Sequence, residues 1–167
     1  SDLLLEARPA AISSVMGLYP PAFVTRMKQL GIPWFAVVST VAEAKQAEAA
    51  GADVIVAQGM EAGGHRAAFD PQGAERRLVG LVSLVPAVVD AVRVPVVATG
   101  GIADGRGVVA ALALGASAVQ IGTGFLRCPE AKIHSAWAEA LGRTAPEETI
   151  VTRAFSGRAG RGIATTF

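Results

Sequence analysis

The chain has 167 residues, 51% of them apolar and 17% charged, with a formal net charge of +1. That balance gives nucleic acid or an anionic membrane nothing to hold, and its most apolar stretch, residues 80–102, is broken by Asp90, Arg93, two prolines and Gly100-Gly101, so no membrane span is expected. Cys128 is the only cysteine, which rules out an intramolecular disulfide and points to a reducing compartment; a soluble, cytoplasmic protein is expected.

In chain order, Leu3–Glu6 reads as the end of a preceding helix. Residues 11–16 (AISSVM) read as a strand stopped by Gly17, and 21–30 as a helix that opens on a proline and ends at Gly31. A strand follows at 34–39 (WFAVVS), then a helix over 41–50 capped by Thr40 with Glu43 in its first turn. A third strand covers 53–57 and runs into the loop AQGMEAGGHRAAF, residues 57–69. A helix is expected at 78–92 and a fourth strand at 95–99 (PVVAT). Asp104 is placed to cap a helix over 105–114, a fifth strand lies at 118–121, and 129–141 reads as helical. Residues 143–167 form a polar tail rich in arginine and glycine, within which 153–161 reads by default as a solvated flexible segment, with contact to a phosphate or a neighbouring subunit as the alternative. Five βα units in succession call for an all-parallel sheet, as either a doubly wound sheet or a (β/α)8 barrel. A barrel needs about 250 residues, so this chain would supply only five of its eight units.

Three strand ends carry the chemistry. Gly100 and Gly101 precede a capped helix, where paired N–H groups and the helix terminus can hold a phosphate; a tight turn is the alternative. Gln120-Ile121-Gly122-Thr123 leaves the next strand in the same manner, and two such ends side by side favour phosphate. Neither is a Walker loop or a Rossmann fingerprint. In the third loop, His65 is one of two histidines and can exchange a proton near neutral pH, unless it is only a hydrogen-bonded structural residue. Glu61 is a candidate to orient it, with a solvated carboxylate as the alternative. His134 is expected inside a helix without a role. Cys128 reads as a small buried residue, and Trp34, Phe125 and Trp137 as packing residues. No Cys/His cluster has metal-site spacing.

These stretches resemble the nitronate monooxygenase family, also called 2-nitropropane dioxygenase-like flavoproteins. The similar segments are Ala57-Gln58-Gly59-x-Glu61-Ala62-Gly63-Gly64-His65, Pro95 through Gly105, Gly115-Ala116 through Thr123, and Thr152-Arg153 through Ser156-Gly157-Arg158. The resemblance implies that residues 1–167 are the C-terminal part, about the last five βα units, of one FMN-binding TIM-barrel domain. It also implies that Gln58, Gly63 and Gly64 line the flavin, that Gly100, Gly101, Gln120, Ile121, Gly122 and Thr123 hold its phosphate end, and that His65 is the base acting on a nitroalkane, with nitronate and dioxygen as the reacting small molecules. Ala67 departs from the glycine usual in the family, which puts the shape of the loop beyond His65 in question. The alternatives within the barrel group are an FMN-dependent enoyl-acyl-carrier-protein reductase and an NADH:quinone reductase. The alternative of another class is a truncated, non-catalytic phosphate- or flavin-binding half barrel. An open five-stranded sheet exposes two edges, so an oligomer or a missing N-terminal segment is expected to cover them.

Overall fold

Residues 2–165 are described by a computed structural model. A short helix α1 (Asp2–Glu6) leads into β1 (Ile12–Ser14), α2 (Pro21–Gln29), β2 (Trp34–Val38), α3 (Val41–Ala49) and β3 (Val54–Gln58). After a two-residue strand β4 (Gly64–His65) come α4 (Leu81–Val89), β5 (Val96–Thr99), α5 (Gly105–Ala113), β6 (Ala118–Gln120), α6 (Ser135–Arg143), β7 (Thr149–Thr152) and β8 (Gly160–Ile163). Two sheets result. One has five parallel strands in the order β1-β2-β3-β5-β6, and the other has three antiparallel strands in the order β4-β8-β7.

The strand order resolves the choice that composition left open. A doubly wound sheet reverses its strand order at a switch point, whereas this order never reverses. With right-handed crossovers, the helices then gather on one face, as in a barrel. Burial agrees. Ile12, Trp34, Ala36, Val38, Ile55, Ala57, Val96 and Ala98 share a register face and lie in the main core with Phe23, Met27, Leu84, Val85 and Val88 from the helices. On the opposite face, Val56 and Gln58 are buried but Phe35, Val37, Val54 and Val97 are only half-buried. The fold is a partial TIM-type barrel whose concave face is only partly buried.

Local chemistry sets the element ends. Thr40 Oγ1 accepts from the Glu43 N–H at 3.2 Å to start α3, and Asp104 accepts from the N–H groups of Arg106 and Gly107 to start α5. The helix expected over 78–92 is shorter, Leu81–Val89, because Val79 instead gives its carbonyl to the Met60 N–H. Residues 129–131 form only a 3₁₀ turn, and α6 begins at Ser135 with His134 as its N-cap rather than an interior residue.

The tail also departs from expectation. Rather than a solvated flexible segment, it forms the β7–β8 hairpin. Thr149, Ile150, Val151 and Thr152 supply a β-branched run, and a Cβ on Gly160 would lie 3.0 Å from the Gly64 carbonyl oxygen, so glycine there lets β8 close on β4. Trp34 packs in the core as expected, but Phe125 and Trp137 are 59% and 55% exposed, and Cys128 is only half-buried. Phe125, Cys128 and Trp137 all follow β6, the last strand of the five-stranded sheet. Among the described residues, no helix is long and apolar enough to cross a membrane, and no group of His, Cys, Asp and Glu side chains is arranged to hold a metal.

Candidate active site

Strand β3 is buried from Ile55 to Gln58, and the chain then folds back across the C-terminal ends of β5 and β6. The Gly59 N–H donates to the Thr99 carbonyl, and Thr99 Oγ1 donates to the Gln120 carbonyl at 2.9 Å, tying the three strand ends together. The loop then passes so close to its neighbours that side chains are excluded. A Cβ on Gly63 would sit 2.5 Å from Thr123 Oγ1, and one on Gly100 would sit 3.0 Å from the Ala62 nitrogen. Gly100 and Gly101 also have φ of +119° and +67°, which L side chains rarely adopt. Gly63, Gly64, Gly100, Gly101, Gln120, Ile121, Gly122 and Thr123 therefore meet at one end of the sheet, the end at which barrel enzymes place their sites.

Gly122 is different. Its φ of −103° is open to any residue, and nothing lies within 4 Å of where its Cβ would be. Neither strain nor crowding within the chain accounts for it; a side chain there would fill space that a ligand can use. Among the described residues, the main-chain N–H groups of Gly101 and Gly122 have no hydrogen-bond partner within the chain.

His65 lies exposed in β4, with its Nε2 2.6 Å from Ser156 Oγ in the β7–β8 turn. Its carbonyl accepts from Gln58 Nε2 at 3.0 Å, while Gln58 Oε1 accepts from the Ala67 N–H at 2.9 Å. Gln58, only 8% exposed, thus braces the histidine backbone, and this occupies part of the amide assigned to the flavin. Ala67 is fully buried beneath this brace, so its methyl group packs inside the loop and leaves His65 in place.

Glu61 neither orients His65 nor stands free in solvent. Its two carboxylate oxygens accept from the Leu81 N–H at 3.0 and 3.1 Å, capping α4 where Gly80 provides no side chain. Among the described residues, the His134 side chain makes only its local cap bond, Nδ1 accepting from the Ala136 N–H. A cavity of about 300 Å³ beside Val94, Pro95 and Ser117 lies at the opposite end of the strands and holds none of these residues.

Three residues in this neighbourhood had no site role in the sequence. Ser156 stood only in a similar-looking ending. Arg66 has its guanidinium buried, with Nη1 donating to the Gly59 carbonyl at 2.7 Å. Glu43 accepts from the Ser39 N–H and hydroxyl and from the Phe69 N–H, stitching the end of β2 to the last residue of the loop. The signal for Arg66 was its place beside the candidate histidine; for Ser156, 91 residues away from it, no local signal existed.

The family model for nitronate monooxygenase matches residues 2–167. A nitronate monooxygenase of Pseudomonas aeruginosa is 47% identical over 161 residues, 96% of this chain and 46% of the relative. Among solved structures, nitroalkane oxidase from Streptomyces ansochromogenes superposes with a TM-score of 0.91 at 38% identity, over 98% of this chain and 47% of that one. FabK from Thermotoga maritima superposes with a TM-score of 0.83 at 34% identity, over 99% of this chain and 50% of that one. The chain spans about half the length of the relatives it matches.

Proposed function

Because the chain belongs to the nitronate monooxygenase family, we propose that it carries the flavin-phosphate cradle and the proton-handling histidine of an FMN-dependent oxidoreductase acting on alkyl nitronates and nitroalkanes with dioxygen. The observation that supports this reading is the approach of the His65 loop to the other two glycine-rich strand ends, Gly63 against Thr123 and Ala62 against Gly100, with nothing within 4 Å of a Cβ placed on Gly122.

In this reading, Gly100, Gly101, Gln120, Ile121, Gly122 and Thr123 hold the phosphate through main-chain N–H groups and the Thr123 hydroxyl, and Gln58, Gly63 and Gly64 line the ring. FMN, when bound, supplies the electron acceptor and the chemistry toward dioxygen. His65 supplies the base. With Nε2–H donating to Ser156 Oγ, the lone pair is left on Nδ1, which accepts the proton on the carbon bearing the nitro group. A nitronate is already deprotonated there and does not need this step.

The test is oxygen uptake by FMN-loaded protein. His65→Asn is expected to lose roughly 10²–10⁴-fold in turnover of a neutral nitroalkane, with nitronate turnover little changed and FMN retained. Unchanged turnover of the neutral substrate would remove His65 from the mechanism. The reductase alternative has the FabK likeness behind it, at lower identity and TM-score; NADH consumption with an enoyl thioester, or with a quinone, would favour that group instead. A chain that binds FMN and turns over none of these substrates would be the non-catalytic half barrel. A cytoplasmic location is part of the proposal and rests on the lone Cys128.

A further inference from the structure

The residue after His65 is the one buried cation among the described residues. Arg66 is 3% exposed, and its guanidinium has no carboxylate within ion-pair distance among those residues. Its partners are carbonyls: Nη1 donates to Gly59 at 2.7 Å, and Nη2 makes a longer contact of 3.4 Å with Gln58. Burial pushes this group below its ordinary value and the like charge of Arg161 adds to that, while Glu61 and Glu43 act in the opposite sense. A neutral side chain would fill the space without desolvating a charge. What the arginine alone provides is a rigid fork long enough to span two consecutive carbonyls.

Geometry shows what the fork controls. Neighbouring residues of an extended strand face opposite ways. The Arg66 N–H continues the β4–β8 pairing by donating to the Ala159 carbonyl, so drawing the Arg66 side chain inward turns His65 outward. Gln58 returns the grip through its bonds to the His65 carbonyl and the Ala67 N–H. Arg161 takes the next carbonyl along, with Nε donating to Met60 at 2.9 Å while Nη1 donates to Thr149 Oγ1. Three successive carbonyls, 58 to 60, are therefore all held by guanidinium groups.

We propose that Arg66 is a positioning residue: by gripping the Gln58 and Gly59 carbonyls, while Arg161 holds the next one, it fixes which face β4 presents, and so holds the His65 imidazole against Ser156. Its consequence for turnover rests on the role proposed for His65; the positioning itself does not.

The experiment compares the full chain with Arg66→Lys and Arg66→Met by amide hydrogen exchange and by imidazole nitrogen spectra. The two histidines are told apart with His134→Gln. Arg66→Met is expected to speed exchange at positions 66 and 67 by about tenfold or more while the amides of Ala36 and Ala98 keep their protection. The His65 ring signals should also move toward those of an unbonded imidazole. Lysine, which has no fork, should fall between. Exchange at 66 and 67 within about twofold of wild type with unmoved ring signals would overturn the proposal, as would equal acceleration in every strand. If Arg66→Met does not fold, Arg66→Lys decides by the same two readings. On the loaded enzyme, kcat for a neutral nitroalkane should fall in the methionine variant with KM for a nitronate little changed. Should wild type prove inactive, the proposed activity fails, and the exchange result still decides the positioning.

Discussion

At Gly63, one missing methyl group lets the loop rest on Thr123. Gly63→Ala would place a Cβ 2.5 Å from Thr123 Oγ1, and overpacking of this kind destabilises by about 1–3 kcal/mol; urea unfolding should show a loss in that range. Ser156→Ala removes the partner of His65, and a lost hydrogen bond of ordinary strength predicts a fall of roughly threefold to tenfold in turnover of a neutral nitroalkane with little change in KM. His65 and the glycines were legible as candidates because each group is a short local pattern just past a strand. Glu61 was misread for the converse reason. Its partner, the Leu81 N–H, lies 20 residues away, and no local pattern says that a loop carboxylate will cap a distant helix.

The elements were read well wherever a cap or a glycine marks them. Asp104 illustrates this: its carboxylate is held below the ordinary value of 3.8 by its side-chain bond to Arg106 and then by the N–H groups of Arg106 and Gly107. Since the folded value is the lower one, the stabilisation is present above the unfolded value and is lost as pH falls through the folded one. Asp104→Ala should therefore melt below wild type at neutral pH, with the difference narrowing in thermal scans below about pH 4; a constant difference would contradict the assignment. The β7–β8 hairpin was not legible. Its arginines and glycines read as solvated chain because what orders it is non-local: pairing with β4, Arg161 on the Met60 carbonyl, and Arg153 on Glu75 and the Pro71 carbonyl.

At the scale of the molecule, the parallel sheet followed from the βα rhythm, but the choice of barrel over doubly wound sheet needed the strand order, which no single stretch of sequence carries. That order leaves β1 and β6 as open edges and the concave face half-buried. Unpaired edges next to apolar surface favour association, so sedimentation should find purified chain self-associated; a dilute, cooperatively folding monomer would contradict this. The central claim is that the glycine-rich strand ends make a flavin cradle, and Gly122 suits a test of it, because a Cβ there meets nothing within 4 Å. FMN titrated into wild type and Gly122→Val, followed by quenching of flavin fluorescence, is the direct measurement. The account predicts saturable binding of one FMN by wild type, and a Gly122→Val protein that melts at the same temperature but binds FMN at least about 100-fold more weakly. Equal binding by both proteins, or none by wild type, would contradict it.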